Sequence, residues 1–390
     1  MKFQVTQKNL SNCLRDVTPF SDKNHQLEII KNIFLKTNKN LLEISATDLE
    51  VSIIERIPGS CQKDGSITIP AGLLREYIQG LPSETSKTKP ATIDLGVEKT
   101  KLKISCQNIN GVINGLTPEN YPSFPVNQKT KPLLEIKASV LKSVLDQTIF
   151  VANKDLSNPI LTGVLLHVFN KELYLVSIDR HRLAEKKITN LVTKPSAKAD
   201  FQILIPATTF LKLDRILVAH PQAKISIFKQ EDKKQHILFT VNDQEIEITS
   251  SLIEGTYPDH RKLIPDKFIT KLIVDKQLLQ ESVKRSRLFS QELTPAIVLN
   301  WQPKATKLQI KSVTSQMGEN IEEIKAKITT PPDGDHAITL NAKYLQEALQ
   351  ALEGDQVEIN LNSKLDLCLL KGYDKQSLDD YRHAVMPLRL

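Results

Sequence analysis

Cysteine is scarce in this sequence, and the four copies lie far apart: Cys13, Cys61, Cys106 and Cys368. They form no Cys-x-x-Cys pair and have no histidine at metal-ligand spacing, which argues against a disulfide framework and a zinc site. No stretch reaches the ~20 apolar residues that a membrane span needs, and the opening MKFQV begins an alternating pattern, not a signal peptide. We therefore expect a cytoplasmic protein with reduced, structural thiols.

Motifs for catalysis and for base recognition are also missing. There is no Gly-rich loop followed by Lys-Ser/Thr and no Gly-x-Ser-x-Gly turn, so neither nucleotide hydrolysis nor a serine nucleophile is indicated. No helix-turn-helix signature occurs, and Trp301 is the one tryptophan. Recognition of base edges and stacking on single strands are therefore disfavoured. We expect no catalytic site, no metal and no cofactor.

Two clusters still deserve an alternative interpretation. Asp179 and His181 are two positions apart, as in some catalytic pairs, but strand alternation would place them on one face as a structural pair. Glu319, Glu322 and Glu323 are acidic enough to hold a cation, although a solvated charged face is the simpler interpretation.

What the sequence has is positive charge and material for packed cores. Hydrophobic residues make up 40% and charged residues 25%, and the formal net charge is +7. The isoelectric point near 9.0 favours a polyanionic partner, either nucleic acid or anionic lipid.

An internal threefold repeat is the strongest signal. A short alternating strand and an amphipathic helix occur at 3–17, 134–151 and 272–289, and a second helix follows Pro70, Pro206 and Asn341. The spacing between these three residues is 136 and then 135 positions. Between the helices, segments 41–48, 173–179 and 308–314 alternate with period two, as half-buried antiparallel strands do. The sequence predicts an α+β fold of three repeated domains, bounded near the Tyr-Pro pairs at 121 and 257: residues 1–125, 126–265 and 266–390.

Cations recur on the exposed faces of the predicted helices. If the repeats are equivalent, these side chains line one surface that can contact phosphates without reading bases. The set is Lys8, Arg15, Arg75, Lys142, Lys212, Arg215, Lys284, Arg285, Arg287 and Lys343.

Four motifs resemble the bacterial β sliding clamp of DNA polymerase III: TDLE at 47–50, DRHRLA at 179–184, YPD at 257–259 and HAVMPLRL at 383–390. The similarity runs over essentially the whole chain, and MPLRL is its most specific part. It implies three domains of the DNA-clamp fold and a head-to-tail homodimeric ring, with helices lining the interior and antiparallel sheets outside. Such a ring would encircle duplex DNA and tether a polymerase without catalysis of its own.

The resemblance also implies a groove that binds short linear peptides of polymerase, clamp loader and repair proteins. Its residues would be Leu161, Ile178, Arg180, His181, Leu183, Pro258, Lys262, Leu263, Asn341, Tyr344, Leu365, Leu367, Val385, Met386, Pro387, Leu388, Arg389 and Leu390. Arg180 stands where the family usually has Gly and Ile178 where it has Thr, which alters the groove. Asn24 occupies a DNA-contacting Arg position, for which we name neighbouring Lys23 as the substitute.

For the dimer interface, the resemblance pairs basic residues of one subunit with acidic residues of the other, beside an apolar contact. The predicted residues are Lys99, Lys101, Lys103, Leu288, Phe289, Glu319, Glu322 and Glu323.

Two rival functions remain at this stage. A sequence-specific DNA-binding regulator without enzymatic activity would show operator-dependent affinity. A nucleic-acid-processing enzyme would need a constellation that the motifs do not supply.

Overall fold

The computed structural model describes residues 1–84, 89–123, 131–189, 191–193, 200–230, 235–242, 245–290, 295–312, 318–333, 336–373 and 380–389. The chain divides into two compact units. One unit holds the first repeat with about half of the second, and the other holds the rest of the second with the third. The domain boundaries at 125/126 and 265/266 stay predictions.

The first repeat carries two helices and nine strands. In chain order these are β1 (Lys2–Thr6), α1 (Gln7–Val17), β2 (Asn32–Asn38), β3 (Leu41–Thr47), β4 (Val51–Pro58), β5 (Ser60–Lys63), β6 (Ser66–Pro70), α2 (Ala71–Gln79), β7 (Thr92–Glu98), β8 (Lys101–Cys106) and β9 (Ile109–Asn114).

The second repeat follows the same order. Its elements are β10 (Leu134–Lys137), α3 (Ala138–Thr148), β11 (Gly163–Phe169), β12 (Glu172–Ile178), β13 (Arg182–Ile188), β14 (Leu191–Thr193), β15 (Phe201–Pro206), α4 (Ala207–Ala219), β16 (Lys224–Gln230), β17 (His236–Val241), β18 (Ile246–Ser251) and the short α5 (His260–Leu263).

The third repeat fuses two of these strands into one. It contains β19 (Thr270–Asp275), α6 (Lys276–Arg287), β20 (Ala296–Asn300), β21 (Lys307–Ser312), β22 (Ile321–Thr329), β23 (Ala337–Asn341), α7 (Ala342–Ala351), β24 (Gln356–Leu361), β25 (Cys368–Tyr373) and β26 (Tyr381–Val385). Short 3-10 helices lie at Thr18–Phe20, Glu28–Lys31, Pro118–Asn120, Ile149–Val151 and Pro159–Thr162.

Local sequence explains where the helices begin. The side chain of Thr6 accepts a hydrogen bond from Asn9 N at the start of α1, and Asp275 accepts one from Leu278 N at the start of α6. Asn341 does the same for Lys343 N and Tyr344 N at α7. These side chains satisfy donors that a first helical turn leaves open. The six predicted helices are confirmed, each starting within one residue of its predicted position.

The described strands form three antiparallel sheets. The first unit contains a five-stranded sheet, β5-β1-β7-β8-β9, and a nine-stranded sheet, β14-β10-β16-β17-β18-β4-β3-β2-β6. The second unit contains a twelve-stranded sheet, β15-β11-β12-β13-β26-β25-β24-β19-β22-β21-β20-β23. The α+β prediction is confirmed. The long sheets arise because the last strand of a repeat pairs with a strand of the preceding one, β18 with β4 and β26 with β13.

One local prediction was wrong. Asp179 and His181 do not alternate along a strand, because they form the turn between β12 and β13. The Asp179 Oδ1 atom accepts hydrogen bonds from the backbone nitrogens of His181 (2.7 Å) and Arg182 (2.8 Å). A short aspartate side chain that binds the backbone two residues ahead favours a turn over a continued strand.

Candidate functional site

A buried apolar cluster in the second unit contains several of the residues predicted to form the groove. Its members come from the 3-10 helix Pro159–Thr162, from β11, β12, β13, β15, β25 and β26, and from both sides of α5: Leu161, Leu165, Val176, Ile178, Leu183, Leu204, Tyr257, Ile264, Leu369 and Ala384. Ile160, Tyr174, Ile253, Phe268 and Leu367 pack against it. The cluster therefore brings together Leu161, Ile178, Leu183 and Leu367 of the prediction.

Tyr257 fixes this cluster to the end of β12. Its hydroxyl oxygen accepts a hydrogen bond from Ile178 N at 2.8 Å, and the side chain is buried. Burial raises the pKa of Tyr257 well above the usual range, so the phenol keeps its proton. The sequence analysis used Tyr257 only to mark a boundary; the signal it missed was a large aromatic residue just before proline in a crossover segment.

Arg182 is the second residue that the prediction omitted. Its side chain is 8% exposed. Its Nε donates to Asp179 Oδ2 at 2.9 Å, its Nη1 binds Glu347 and its Nη2 donates to Phe150 O at 3.2 Å. The guanidinium also lies 4.4 Å from the ring centroid of Tyr344. One buried cation thus joins the β12–β13 turn to α7.

The tail after β26 is held by two backbone hydrogen bonds. Met386 N donates to His181 O at 2.7 Å, and Leu388 N donates to Thr339 O at 2.8 Å. Val385 still belongs to β26, and its side chain is fully buried in the core of the third repeat. Its predicted role as a contact residue does not fit that burial, whereas Leu390 lies outside the described residues.

Three apolar side chains of the predicted groove remain open to solvent. Leu263, Leu365 and Met386 are 44%, 49% and 42% exposed. Pro258, Pro387 and Leu388 are half-buried, while Arg180, Lys262 and Arg389 are exposed. A group of exposed apolar side chains with basic neighbours has the chemistry of a docking surface.

Polar and aromatic groups complete the set. The carbonyl oxygen of His181 is used by the tail, and its ring stacks on Tyr344 with centroids 6.2 Å apart. Asn341 is the N-cap of α7, so its side chain is committed to the backbone. Arg180 is mostly exposed and 3.9 Å from Asp155, which leaves it free to reach a ligand.

The predicted DNA-facing cations divide into bound and unbound groups. Lys212 binds Asp48 and is 18% exposed, Lys142 lies 3.4 Å from Asp214, and Arg15 binds Asp16 at 2.9 Å. Arg287 donates to Gln346 Oε1 at 2.9 Å. Of the predicted DNA-facing cations, those whose side-chain nitrogens make no hydrogen bond or ion pair within the described part of the chain are Lys8, Lys23, Arg75, Arg215, Lys284 and Lys343.

Four of the residues predicted for the dimer interface already pair within one chain. Arg285 holds Glu322 through two hydrogen bonds, of 2.8 and 2.7 Å, and lowers the pKa of that carboxyl to about 2. Lys307 lies 2.8 Å from Glu323, Lys311 lies 3.5 Å from Glu319, and Lys103 binds Glu98. Lys99, Lys101 and Leu288 are exposed, and Phe289 is half-buried. Arg285, predicted to face DNA, thus contacts a residue predicted for the interface.

The described residues contain neither a cluster of metal-ligating side chains nor a membrane-spanning helix. No group of three or more His, Cys, Asp or Glu side chains there is arranged to hold a metal ion. No described helix is both long enough and apolar enough to cross a membrane.

Three α+β repeats joined by strand pairing between repeats define the chain as a DNA clamp by class. Sequence models of the DNA polymerase III beta subunit match it domain by domain: the N-terminal domain over residues 1–125, the central domain over 135–259 and the C-terminal domain over 261–389. The chain belongs to this family of bacterial sliding clamps and serves as a processivity clamp for a DNA polymerase.

Similar proteins agree over their full lengths. The beta sliding clamp of Synechococcus elongatus is 26% identical over 397 aligned residues, and that of Pseudomonas putida is 27% identical over 393, each covering 100% of both chains. The crystal structure of the DNA polymerase III subunit beta from Pseudomonas aeruginosa superposes with a TM-score of 0.88 at 26% identity and covers 100% of both chains. These matches confirm the three-domain clamp fold, and they lend no support to a sequence-specific regulator.

Proposed function

We propose that two copies of this chain join head to tail into a ring around duplex DNA, with the helices lining the hole and the sheets outside. The proposal rests on which strands the repeats leave unpaired. In equivalent places, β18 pairs with β4 and β26 pairs with β13. β9 is the last strand of the first repeat, and the first half of β22 holds the place of β4 and β13 in the third repeat. These two segments are therefore the equivalent pair that one chain leaves unmade. Among the described residues, each of these two segments pairs on one side only.

The repeat also fixes a register for that missing pairing. Ile53 lies opposite Ile248, and Ala184 lies opposite His383. Asn320 holds the place of Ile53 and Ala184 in the third repeat, and Gly111 holds the place of Ile248 and His383 in the first. The same register therefore puts Asn320 opposite Gly111 of a second copy. Ser312 N donates to Asn320 O, so by alternation the N–H of Ile321 points away from β21, toward the second copy.

Proline substitution tests this seam. Ile321→Pro removes a donor on the unpaired edge without removing a bond to β21, so light scattering should give 43.9 kDa rather than twice that mass. Ile321→Ala keeps the N–H and should remain a dimer. Circular dichroism confirms that both variants are folded, and a dimeric, folded Ile321→Pro protein would refute the seam.

Contact with DNA is proposed to be electrostatic and independent of sequence. The six unbound cations named above can meet phosphates without breaking an internal ion pair, and such contacts weaken steeply with salt. A loaded clamp should stay on closed circular DNA at high salt and leave once the circle is cut. Equal loss from circular and linear DNA would refute encirclement.

The exposed apolar residues around the tail are proposed to bind short linear peptides of polymerase, clamp loader and repair proteins. Leu263, Leu365 and Met386 offer open apolar area, and a methionine adapts to several ligands. Removing residues 386–390 should abolish binding of a fluorescein-labelled peptide from the same organism's polymerase while the dimer persists. Ile321→Pro is the matched control, which should lose the dimer and keep the peptide; retained affinity in the truncated chain would refute the site.

We propose, finally, that the chain acts in the cytoplasm and has no catalytic activity of its own. The Asp179 carboxylate is occupied by two backbone donors and Arg182, which leaves it no role as a base. Turnover of DNA or nucleotide that disappears in Asp179→Asn would contradict this.

A further inference from the structure

The connector between the second and third repeats, residues 252–269, crosses one face of the twelve-stranded sheet. A cavity of ≈ 760 Å³ lies between this connector and the sheet. Strand residues of the cavity wall follow period two, for example His167 and Phe169, or Glu185 and Lys187. The connector contributes His260, which is 2% exposed although histidine is usually only partly buried. A polar ring buried this deeply needs partners.

His260 sits in the middle of a hydrogen-bonded chain. Its Nδ1 lies within hydrogen-bond distance of Glu185 Oε2, its Nε2 is 2.9 Å from His167 Nδ1, and His167 Nε2 is 3.4 Å from the amide nitrogen of Gln202. With both rings neutral, donors and acceptors alternate: Gln202 donates to His167, His167 to His260, and His260 to the carboxylate. Both tautomers follow from that order.

The same connector carries residues of the proposed peptide site. Tyr257, His260 and Ile264 are buried, at spacings of three and four residues. That helical spacing turns Lys262 and Leu263 outward, and Leu263 is 44% exposed. Tyr257 binds Ile178 N, whereas His260 reaches β11 and β13. His260 is the buried polar anchor of the outward turn, and the exposed Arg261 adds a contact with the ring of Phe169 on β11, 4.3 Å from its centroid.

We infer that His260 is a positioning residue for peptide binding, which acts by tying the connector to Glu185 and His167. This inference rests on the proposed peptide site. Pro258, Lys262 and Leu263 form a wall of the proposed site, and the buried hydrogen bonds of His260 keep that wall ordered. Preorganised walls bind more tightly because less conformational freedom is lost on association.

Two variants separate positioning from folding. His260→Phe leaves Glu185 buried without its donor, so the variant risks unfolding. The double variant His260→Phe with Glu185→Leu removes that penalty and should fold, yet its connector stays unanchored. We expect about tenfold weaker binding of the labelled polymerase peptide in the double variant, with an unchanged dimer. Lys267→Gln, at an exposed position of the same connector, is the control and should change affinity less than about twofold.

Hydrogen exchange supplies a readout that does not depend on the peptide. Amides of residues 257–264 should lose protection in the double variant and keep it in Lys267→Gln. Unchanged protection and affinity in the double variant would overturn the inference. If the wild-type protein bound no peptide, the proposed peptide site would be refuted. Hydrogen exchange would still show whether His260 orders the connector.

Acid gives a third readout. If the facing nitrogens of His167 and His260 both carried protons, two N–H groups would oppose each other across 2.9 Å. Burial lowers the pKa of His167, which disfavours its protonated form. His167→Gln can donate to or accept from His260, so it avoids the conflict. Between pH 7.5 and 5.0 the wild type should lose more peptide affinity than His167→Gln; equal losses would overturn the inference. Charged and titratable groups near His260 are Glu185, His167, Tyr174, Arg382, Asp259 and Arg261.

Discussion

The turn after β3 and the turn after β12 occupy equivalent places in the first and second repeats, and their backbones agree. Asp48 Oδ1 accepts from Glu50 N and Val51 N at 3.0 and 2.8 Å. Asp179 Oδ1 accepts from His181 N and Arg182 N at 2.7 and 2.8 Å. Each aspartate therefore builds the same turn from one side-chain oxygen.

The second carboxylate oxygen is used differently. Asp48 Oδ2 binds Lys212, five residues after the first residue of α4. At the equivalent position of α7 stands Glu347, of opposite sign, and Arg182 bridges it to Asp179. Where the second turn has Arg182, the first has Val51.

The two turns show that equivalent repeats keep the same backbone hydrogen bonds while a few charged side chains differ and set which neighbours each turn contacts. A direct lysine–aspartate pair closes the first turn. The arginine bridge places a planar cation against Tyr344, whose ring stacks on His181, and the His181 carbonyl holds Met386 of the tail. The two turns have one architecture, and only the second has become the wall of a proposed binding site.

Removing the bridge should give the largest effect. Arg182→Met leaves Asp179 and Glu347 without their shared cation, and we expect a loss of about 3 kcal/mol in the free energy of unfolding. Lys212→Met breaks a single pair and should cost about 1–2 kcal/mol. Urea unfolding compares the two variants. Equal losses would mean that the two turns are energetically equivalent.

Acid should distinguish the strands next to the turns. Burial lowers the pKa of His383 on β26 to about 3, whereas Ile248 at the equivalent position of β18 does not titrate. Because the folded pKa lies below the unfolded value, stability is complete above about pH 6.5 and is lost as pH falls toward 3. The wild type should lose roughly 2–4 kcal/mol more than His383→Gln between pH 7 and 4, as measured by urea unfolding. Parallel pH profiles would contradict a buried neutral ring.

The first unit should respond in the opposite direction. Burial, and then Asp16, raise the pKa of Glu55 to about 7. A raised acid pKa means that stability is complete below about pH 4.5 and declines as pH rises to 7. Glu55→Gln should therefore gain about 1–3 kcal/mol at pH 8 and almost nothing at pH 4.5. No difference at pH 8 would show that the carboxylate is compensated.

Exchanging the two charge patterns should have the smallest effect on stability. Arg182→Val with Glu347→Lys copies the first turn into the second and restores a direct pair with Asp179. We expect unfolding free energy within about 1 kcal/mol of the wild type, and weaker peptide binding because Tyr344 loses its cation. Unchanged peptide affinity would remove Arg182 from the proposed site.

Periodicity made the repeats predictable before any coordinates. Apolar residues at helical or strand spacing are a local property, so the helices after Pro70, Pro206 and Asn341 were found at the correct places. Resemblance then supplied most of the proposed site, including Met386 and Tyr344.

The missing residues were those whose role depends on distant partners. Arg182 and His260 carry no local signal that separates them from exposed neighbours such as Arg180 and Lys262, and Tyr257 was used only as a boundary marker. Val385 was included because the resemblance covers the whole tail, yet its strand turns it into the core. Strand alternation predicts two faces but does not say which face is covered.

The sequence by itself determined three copies of one α+β unit and the family to which they belong, because hydrophobic spacing and turn residues act within a few positions. Only the tertiary structure decided which charges are free. Lys212, Arg285 and Arg182 look alike along the chain, but Asp48, Glu322 and Glu347 reach them from 164, 37 and 165 positions away. Pairing of charges at such separation follows from how the strands and helices pack.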